Sequence, residues 1–73
     1  MEGETYEEWR SRLKAWASRY RTLNQASEEM ARRCAVLGEH VNPWTVRGHC
    51  SGKYREVGLR LYNAINQVIA NAD

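Results

Sequence analysis

The feature that most constrains the fold of this chain is a series of large side chains spaced alternately three and four residues apart. This spacing places five side chains on one face of an α-helix: Tyr6, Trp9, Leu13, Trp16 and Tyr20. Thr5 and Glu8 form the pattern of a capping box, which marks a helix start. The sequence therefore predicts a helix from about Thr5 to Arg21. Its other faces carry basic side chains: Arg10, Arg12, Lys14, Arg19 and Arg21.

Cap and turn residues then divide the rest of the chain into further helices. Asn24 can cap a second helix that runs to about Leu37. Gly38 follows it and suits the left-handed conformation in which many helices end. Asn42 is a suitable cap for a short third helix, because the next residue, Pro43, is favoured in a first helical turn.

The third helix is expected to end at Ser51 and Gly52, and a fourth helix is predicted from Tyr54 to about Ala70. Apolar residues recur at helical spacing within that last segment: Val57, Leu61, Ile65 and Val68. The chain contains no alternating β-pattern and no internal repeat. The sequence therefore predicts an all-α fold, a compact four-helix domain.

The length of 73 residues allows one domain, because a chain this short buries only roughly 60% of the surface of its unfolded form. The apolar fraction of 42%, with three Trp and four Tyr, is sufficient for a core. We expect a single domain over residues 1–73, with residues 1–4 disordered.

The charge balance and the cysteines bear on location and partners. Eleven basic and nine acidic residues give a net charge of +2, which is small for a protein that binds a polyanion. The chain lacks the roughly 18 to 20 continuous apolar residues of a membrane helix, and its acidic start is unlike a signal peptide. A cytoplasmic location is expected. Cys34 and Cys50 are then expected to stay reduced and to pack as small buried side chains.

The residue types of metal and catalytic sites do not form a usable pattern here. His49 and Cys50 are adjacent, so on a helix they point roughly 100° apart and cannot both face one ion. Cys34 and His40 complete no zinc-finger spacing with them. Ser51-Gly52-Lys53 lacks the longer glycine-rich run of a nucleotide-binding loop. We therefore expect no metal, no cofactor, no catalytic residue and no enzymatic activity.

The segment 41–53 resembles the second half of the helix-turn-helix of Cro and the phage repressors. The residues in register are Val41, Asn42, Thr45, Val46, Ser51, Gly52 and Lys53, with Met30 and Ala31 in the preceding helix. The resemblance implies a helix-turn-helix core whose third helix enters the DNA groove. It places Trp44 and Arg47 opposite base edges, and Lys53 and Arg55 against phosphates.

Two departures from that pattern point towards a protein partner. The interval from Met30 to Val46 is five residues longer than the spacing in that family. Gly48 lies within the reading helix, at a cost of roughly 0.5 to 1 kcal/mol relative to Ala. In size and character the chain also resembles the small phage-encoded factors that bind host RNA polymerase. That resemblance implies contacts with the largest subunit and the flap, displacement or weakening of the sigma factor, and residence in the host cytoplasm.

Two functional hypotheses and a third, less specific one follow. The leading hypothesis is a monomeric transcription regulator that binds bacterial RNA polymerase and inhibits initiation or promotes antitermination. The alternative is a dimeric Cro-like repressor that binds operator DNA, and a structural adaptor is the third. The candidate contact residues for polymerase or DNA are Arg10, Lys14, Arg21, Trp44, Arg47, His49, Lys53 and Arg55.

Overall fold

A computed structural model describes residues 3–72, most of which belong to four α-helices. In chain order the helices are α1 (Tyr6–Ala17), α2 (Leu23–Val36), α3 (Pro43–Ser51) and α4 (Leu59–Ala70). No strand occurs among the described residues, and the prediction of an all-α, four-helix fold is confirmed. Residues 1 and 2, in the segment predicted to be disordered, lie outside the described residues, as does residue 73.

The first helix begins where the capping box predicted. Glu8 donates its backbone N–H to Thr5 Oγ1 (3.1 Å), and Thr5 donates its own to Glu8 Oε1 (2.8 Å). The helix ends at Ala17, however, so the predicted extension to Arg21 is wrong. Beyond Ala17 the backbone closes tighter turns, in which Tyr20 N–H donates to Ala17 O (3.1 Å). Tyr20 still packs on Trp16, with a ring-centroid distance of 4.9 Å.

The second helix begins two residues earlier than expected. Thr22 is its N-cap, because the Thr22 hydroxyl accepts the backbone N–H of Gln25 (3.0 Å). The prediction that Asn24 is the cap is therefore wrong. At the other end Gly38 adopts φ +90°, which confirms the predicted left-handed terminus just beyond the last turn of α2.

The limits of α3 agree with the sequence, whereas the start of α4 does not. The Asn42 side chain accepts the backbone N–H of Trp44 (2.8 Å), and Gly52 closes the helix with φ +86°. The predicted start of the fourth helix at Tyr54 is wrong, because Tyr54 packs against α3 and α4 begins only after Gly58.

The core lies where the four helices meet. Its fully buried members come from every helix: Trp9 and Leu13 from α1, Met30 and Cys34 from α2, Val46 from α3 and Ile65 from α4. Each large apolar side chain buried in this way contributes about 1.5 to 3 kcal/mol. The free thiols of Cys34 and Cys50 are both buried, as predicted, and burial raises the pKa of Cys34 to about 11.

The start of the described chain is held against α1 and α4. Glu4 accepts hydrogen bonds from the Arg12 guanidinium (2.5 Å) and from the Tyr62 hydroxyl (2.6 Å). These hydrogen bonds lower the pKa of the Glu4 carboxyl. Arg12 also donates to Asn66 Oδ1 (2.9 Å). One carboxylate thus joins the N-terminal segment to two helices.

The relation between α2 and α3 matters most for the functional argument. These two helices share the most extensive packing of any pair, and α1 contacts both of them. Residues 37–42 connect them, which is longer than the three or four residues of a usual helix-turn-helix. The helix-turn-helix core therefore stays a prediction. No helix among residues 3–72 is long and apolar enough to span a membrane.

Candidate interaction surface on helix α3

The most prominent exposed side chain of α3 is Trp44, in its first turn. Trp44 is 70% exposed, although a tryptophan side chain is largely apolar. The guanidinium of Arg47, one turn further on, lies over the indole ring at 5.3 Å from its centroid, which is a cation–π contact. The two side chains therefore present a joined aromatic and cationic surface to solvent.

The spacing of α3 explains why these side chains point outward. The helix turns Val46, His49 and Cys50 into the core, which commits one face of the helix. The opposite face then carries Trp44, Arg47 and Ser51, spaced three and four residues apart. Together with Gly48 and Lys53 they line a shallow groove along the helix, which we call the α3 groove.

A second, smaller cleft lies between the first turns of α2 and α3. Asn24, Ser27 and Glu28 line it from α2, and Trp44 and Arg47 line it from α3. Its volume of about 120 Å³ is well below the roughly 300 to 1,000 Å³ of sites that enclose a small molecule. Glu28 is exposed and forms no ion pair among residues 3–72, so it places a free negative charge beside Trp44.

Gly48, in the middle of α3, is required by the packing of Tyr54. A Cβ added at position 48 would overlap Tyr54 Cε2 and lie 3.1 Å from Cδ2. The Tyr54 ring also packs on His49, with a centroid distance of 4.8 Å. The glycine therefore lets the segment after α3 fold back against the helix.

His49, a predicted contact residue, lies in the core instead of on the surface. It is 3% exposed, and its Nδ1 shares a hydrogen bond of 2.7 Å with the Tyr6 hydroxyl. The rings of Trp9 and Tyr54 pack around it at centroid distances of 5.5 and 4.8 Å. This burial lowers the pKa of His49. The side chain joins α3 to α1 and does not face a partner.

Arg10, another predicted contact residue, holds the last turn of α3. Its Nε donates to the backbone oxygen of His49 (2.8 Å), and its Nη2 donates to that of Cys50 (3.0 Å). Carbonyls in the last turn of a helix lack partners within the helix, so a guanidinium there satisfies two of them. Arg10 also pairs with Glu7 (3.2 Å) and is only 19% exposed in its side chain. Its first role is therefore structural.

The remaining cations of the predicted contact set share one property, which is the absence of an ion pair within the described residues. Four arginines pair with carboxylates elsewhere on the surface: Arg12 with Glu4, Arg32 and Arg33 with Glu29, and Arg60 with Glu39. Five other cations form no ion pair with any carboxylate among residues 3–72: Lys14, Arg21, Arg47, Lys53 and Arg55. Every one of these five belongs to the predicted contact set.

The unpaired cations lie close to α3. Lys14 and Arg21 line a cleft that also contains Cys50 of α3, and Lys53 follows the helix directly. On α3, Cys50 and Gly48 are two residues apart and therefore face opposite flanks. The cleft of Lys14 and Arg21 thus lies on one flank of α3, and Tyr54, with the Lys53 ammonium 5.6 Å from its ring centroid, lies on the other.

Sequence reasoning missed three residues that shape this surface. Tyr6 and Tyr54 fix His49, and Glu28 sets the charge beside Trp44. A glycine inside a helical pattern can indicate a close approach by another part of the chain, so Gly48 carried a signal for Tyr54. Nothing in the pattern indicated that Tyr6 would contact His49, because the two residues are 43 positions apart in the chain.

Comparisons of the chain with models of protein families, with curated proteins and with solved structures gave no match in any of the three. No group of three or more His, Cys, Asp or Glu side chains within the described range could hold a metal ion. The geometry and charge of the α3 groove and its flanks are therefore the features of the molecule that bear on its function.

Proposed function

We propose that this protein regulates transcription by binding bacterial RNA polymerase through the first turn of α3. The observation that carries the proposal is the exposed Trp44 ring with the Arg47 guanidinium stacked on it. Tryptophan and arginine are enriched among the few residues that dominate the energy of protein interfaces. An exposed pair of this kind, fixed in position by a helix, is suited to anchor a protein partner.

The same surface is poorly equipped to read DNA bases. His49 is buried, and the Arg10 guanidinium is bonded to backbone carbonyls. The Asn42 side chain is used as the helix cap, so it is not free to contact a base edge. Of the two side chains expected opposite base edges, only Arg47, one turn after Trp44, carries a strong base-reading group. The Glu28 carboxylate beside it would repel phosphates.

The surface area of the protein is compatible with a competitive mode of action. The chain exposes 4847 Å², several times the roughly 800 Å² that each partner buries in a standard protein interface. Bound at the largest subunit or the flap, it would displace the sigma factor or weaken the binding of that factor to polymerase. That action inhibits initiation, and continued occupancy during elongation would promote antitermination.

A pull-down with purified bacterial RNA polymerase, core and holoenzyme, tests this proposal. Wild-type protein should bind at micromolar concentrations, and Trp44→Ala should weaken binding at least tenfold, because a hot-spot truncation costs about 2 kcal/mol or more. Leu59→Ala is the matched control, since Leu59 is similarly exposed (67%) but begins α4. Absence of binding to both forms of the enzyme would refute the proposal.

A Cro-like DNA-binding repressor is the second candidate, and the unpaired cations beside α3 favour it. Such a repressor should form a dimer, select a palindromic operator from a random pool, and lose affinity steeply with salt as counterions are released. Arg47→Glu should then abolish operator binding. A monomer in light scattering that selects no operator would exclude this candidate.

A further inference from the structure

We propose that the α3 groove binds an acidic segment of its protein partner, with an apolar side chain of that segment on Trp44 and its carboxylates towards Lys53. This inference rests on the proposed function in one respect only, that the partner at α3 is a protein. It adds the chemistry of the bound segment and the placement of its apolar and acidic side chains along the groove.

The distribution of ion pairs leaves positive charge on the α3 groove. Glu4, Glu7, Glu29 and Glu39 each pair with an arginine within the chain, so much of the acidic charge is neutralised internally. Arg47 and Lys53, which line the groove, have no such partner among residues 3–72. The net charge of +2 therefore understates the positive charge of this face, which is complementary to carboxylates.

The ends of the groove differ, and this difference determines which kind of side chain each end can bind. At the Trp44 end, Glu28 is exposed and would repel a carboxylate, while the indole ring offers apolar area. At the other end, Lys53 offers an ammonium group next to the Ser51 hydroxyl. An apolar side chain therefore suits the first end and acidic side chains suit the second.

The length of the groove sets the spacing within the segment. Trp44 and Ser51 are seven residues apart on α3, which corresponds to about 10 Å along the helix axis. An extended chain covers that distance in about three residues, and a helix covers it in about seven. The expected motif is thus an apolar residue with acidic residues about three positions away in an extended segment, or about seven positions away in a helical one. The acidic residues can precede or follow the apolar residue. Arg47 lies between the two ends and can reach a carboxylate there.

The test is selection of binding peptides from a random 12-residue display library on the intact protein, with a random DNA duplex pool selected in parallel. The expected peptides contain an apolar or aromatic residue and at least two Asp or Glu at the separations given above. Synthetic versions of a selected peptide should bind about tenfold more weakly to Arg47→Gln than to wild type, a loss of about 1.4 kcal/mol.

Two controls separate a local charge effect from a general one. Arg60→Gln makes the same change at an exposed arginine that pairs with Glu39 at a distance from the groove, and it should alter peptide binding less than twofold. Replacing the acidic residues of the peptide with Gln should reduce its affinity for wild type at least tenfold, a comparison that leaves the protein unchanged.

Several outcomes would overturn the inference. These are selected peptides without acidic residues, no enriched peptide at all, equal losses in Arg47→Gln and Arg60→Gln, or enrichment of DNA in place of peptides. Polymerase binding is measured separately. If polymerase is bound but the selected peptides are not acidic, only this inference fails, and if acidic peptides bind but polymerase does not, only the proposed function fails.

Discussion

The ring of Tyr54 lies directly against the α-carbon of Gly48, in the middle of α3. A glycine inside a helix ordinarily costs roughly 0.5 to 1 kcal/mol relative to alanine, because the unfolded chain is more flexible. Here the missing side chain is what allows the tyrosine to pack on the helix and on His49. The sign of the usual Gly→Ala effect should therefore be reversed at this position.

Gly48→Ala is expected to destabilise the protein by about 1 to 2 kcal/mol, the range for inserting a methyl group into a well-packed site. Urea unfolding followed by circular dichroism measures this change. In a Tyr54→Ala background the same substitution should be neutral or stabilising, because the overlapping ring is gone. Equal effects in the two backgrounds would show that the contact does not determine the cost.

Stability should fall between pH 7 and pH 5 because of His49. Burial lowers its pKa in the folded protein below the usual value of about 6.5. The unfolded chain then binds the proton more readily than the folded one, so the stabilisation is fully present above about pH 6.5 and is lost as the pH falls through the folded pKa. The midpoint of urea unfolding, measured across this pH range, should fall accordingly.

His49→Gln provides the control for that pH dependence. Glutamine does not titrate, but its side-chain oxygen can still accept the Tyr6 hydroxyl. The variant should be less stable at pH 7 and should show a flatter profile between pH 7 and pH 5. A profile as steep as that of wild type would assign the pH dependence to other groups.

Arg10→Met should cost about 1 to 3 kcal/mol of stability, because it leaves the carbonyls of His49 and Cys50 without their donor. Lys14→Met is the matched comparison, since it removes a cation from the same helix that forms no ion pair within the described residues. It should change stability by less than about 0.5 kcal/mol. Thermal unfolding distinguishes the two, and similar losses would argue against the helix-end role of Arg10.

Trp44 should be the tryptophan that an external quencher reaches. Trp9 and Trp16 are buried, whereas Trp44 is exposed. Trp44→Phe should therefore remove most of the acrylamide-sensitive fluorescence while changing stability by less than about 0.5 kcal/mol. Polymerase added to the wild-type protein should protect that emission. Unchanged quenching in the variant would mean that a buried ring is accessible in solution.

Local signals in the sequence located several helix ends correctly. The Thr5–Glu8 capping box, Asn42 before Pro43 and the left-handed Gly38 depend on neighbouring residues, and the structure has all three as predicted. The same reasoning predicted Asn24 as the cap of α2, whereas the cap is Thr22. Both residue types can cap a helix, and only the backbone geometry decides between them.

Apolar spacing was a less accurate guide to where helices stop. Tyr20 continues the face of α1 although its backbone has left the helix, since a tight turn can keep a side chain on the same side. Tyr54 was placed at the start of a helix, but its contact with Gly48 holds it in the connection between α3 and α4. Spacing along the chain does not record such contacts between distant segments.

The candidate surface was predictable only in part for the same reason. Trp44 and Arg47 lie on the exposed face of α3, as expected for that helix. Arg10 and His49 carry residue types that often bind partners, but contacts across 39 and 43 positions in the chain use both to hold α3 in place. Only the three-dimensional arrangement separates cations that hold the fold from cations that form no ion pair among residues 3–72.

That separation has a consequence for how the sequence can change over generations. Substitutions at Lys14, Arg21 and Lys53 disturb no ion pair among residues 3–72, so these positions are free to vary with the identity of the partner. Tyr6 and His49 depend on each other through a buried hydrogen bond, and should be inherited or replaced together. In a set of diverged descendants, rapid drift should therefore map to the exposed cations around α3, and paired replacement to the contact between α1 and α3.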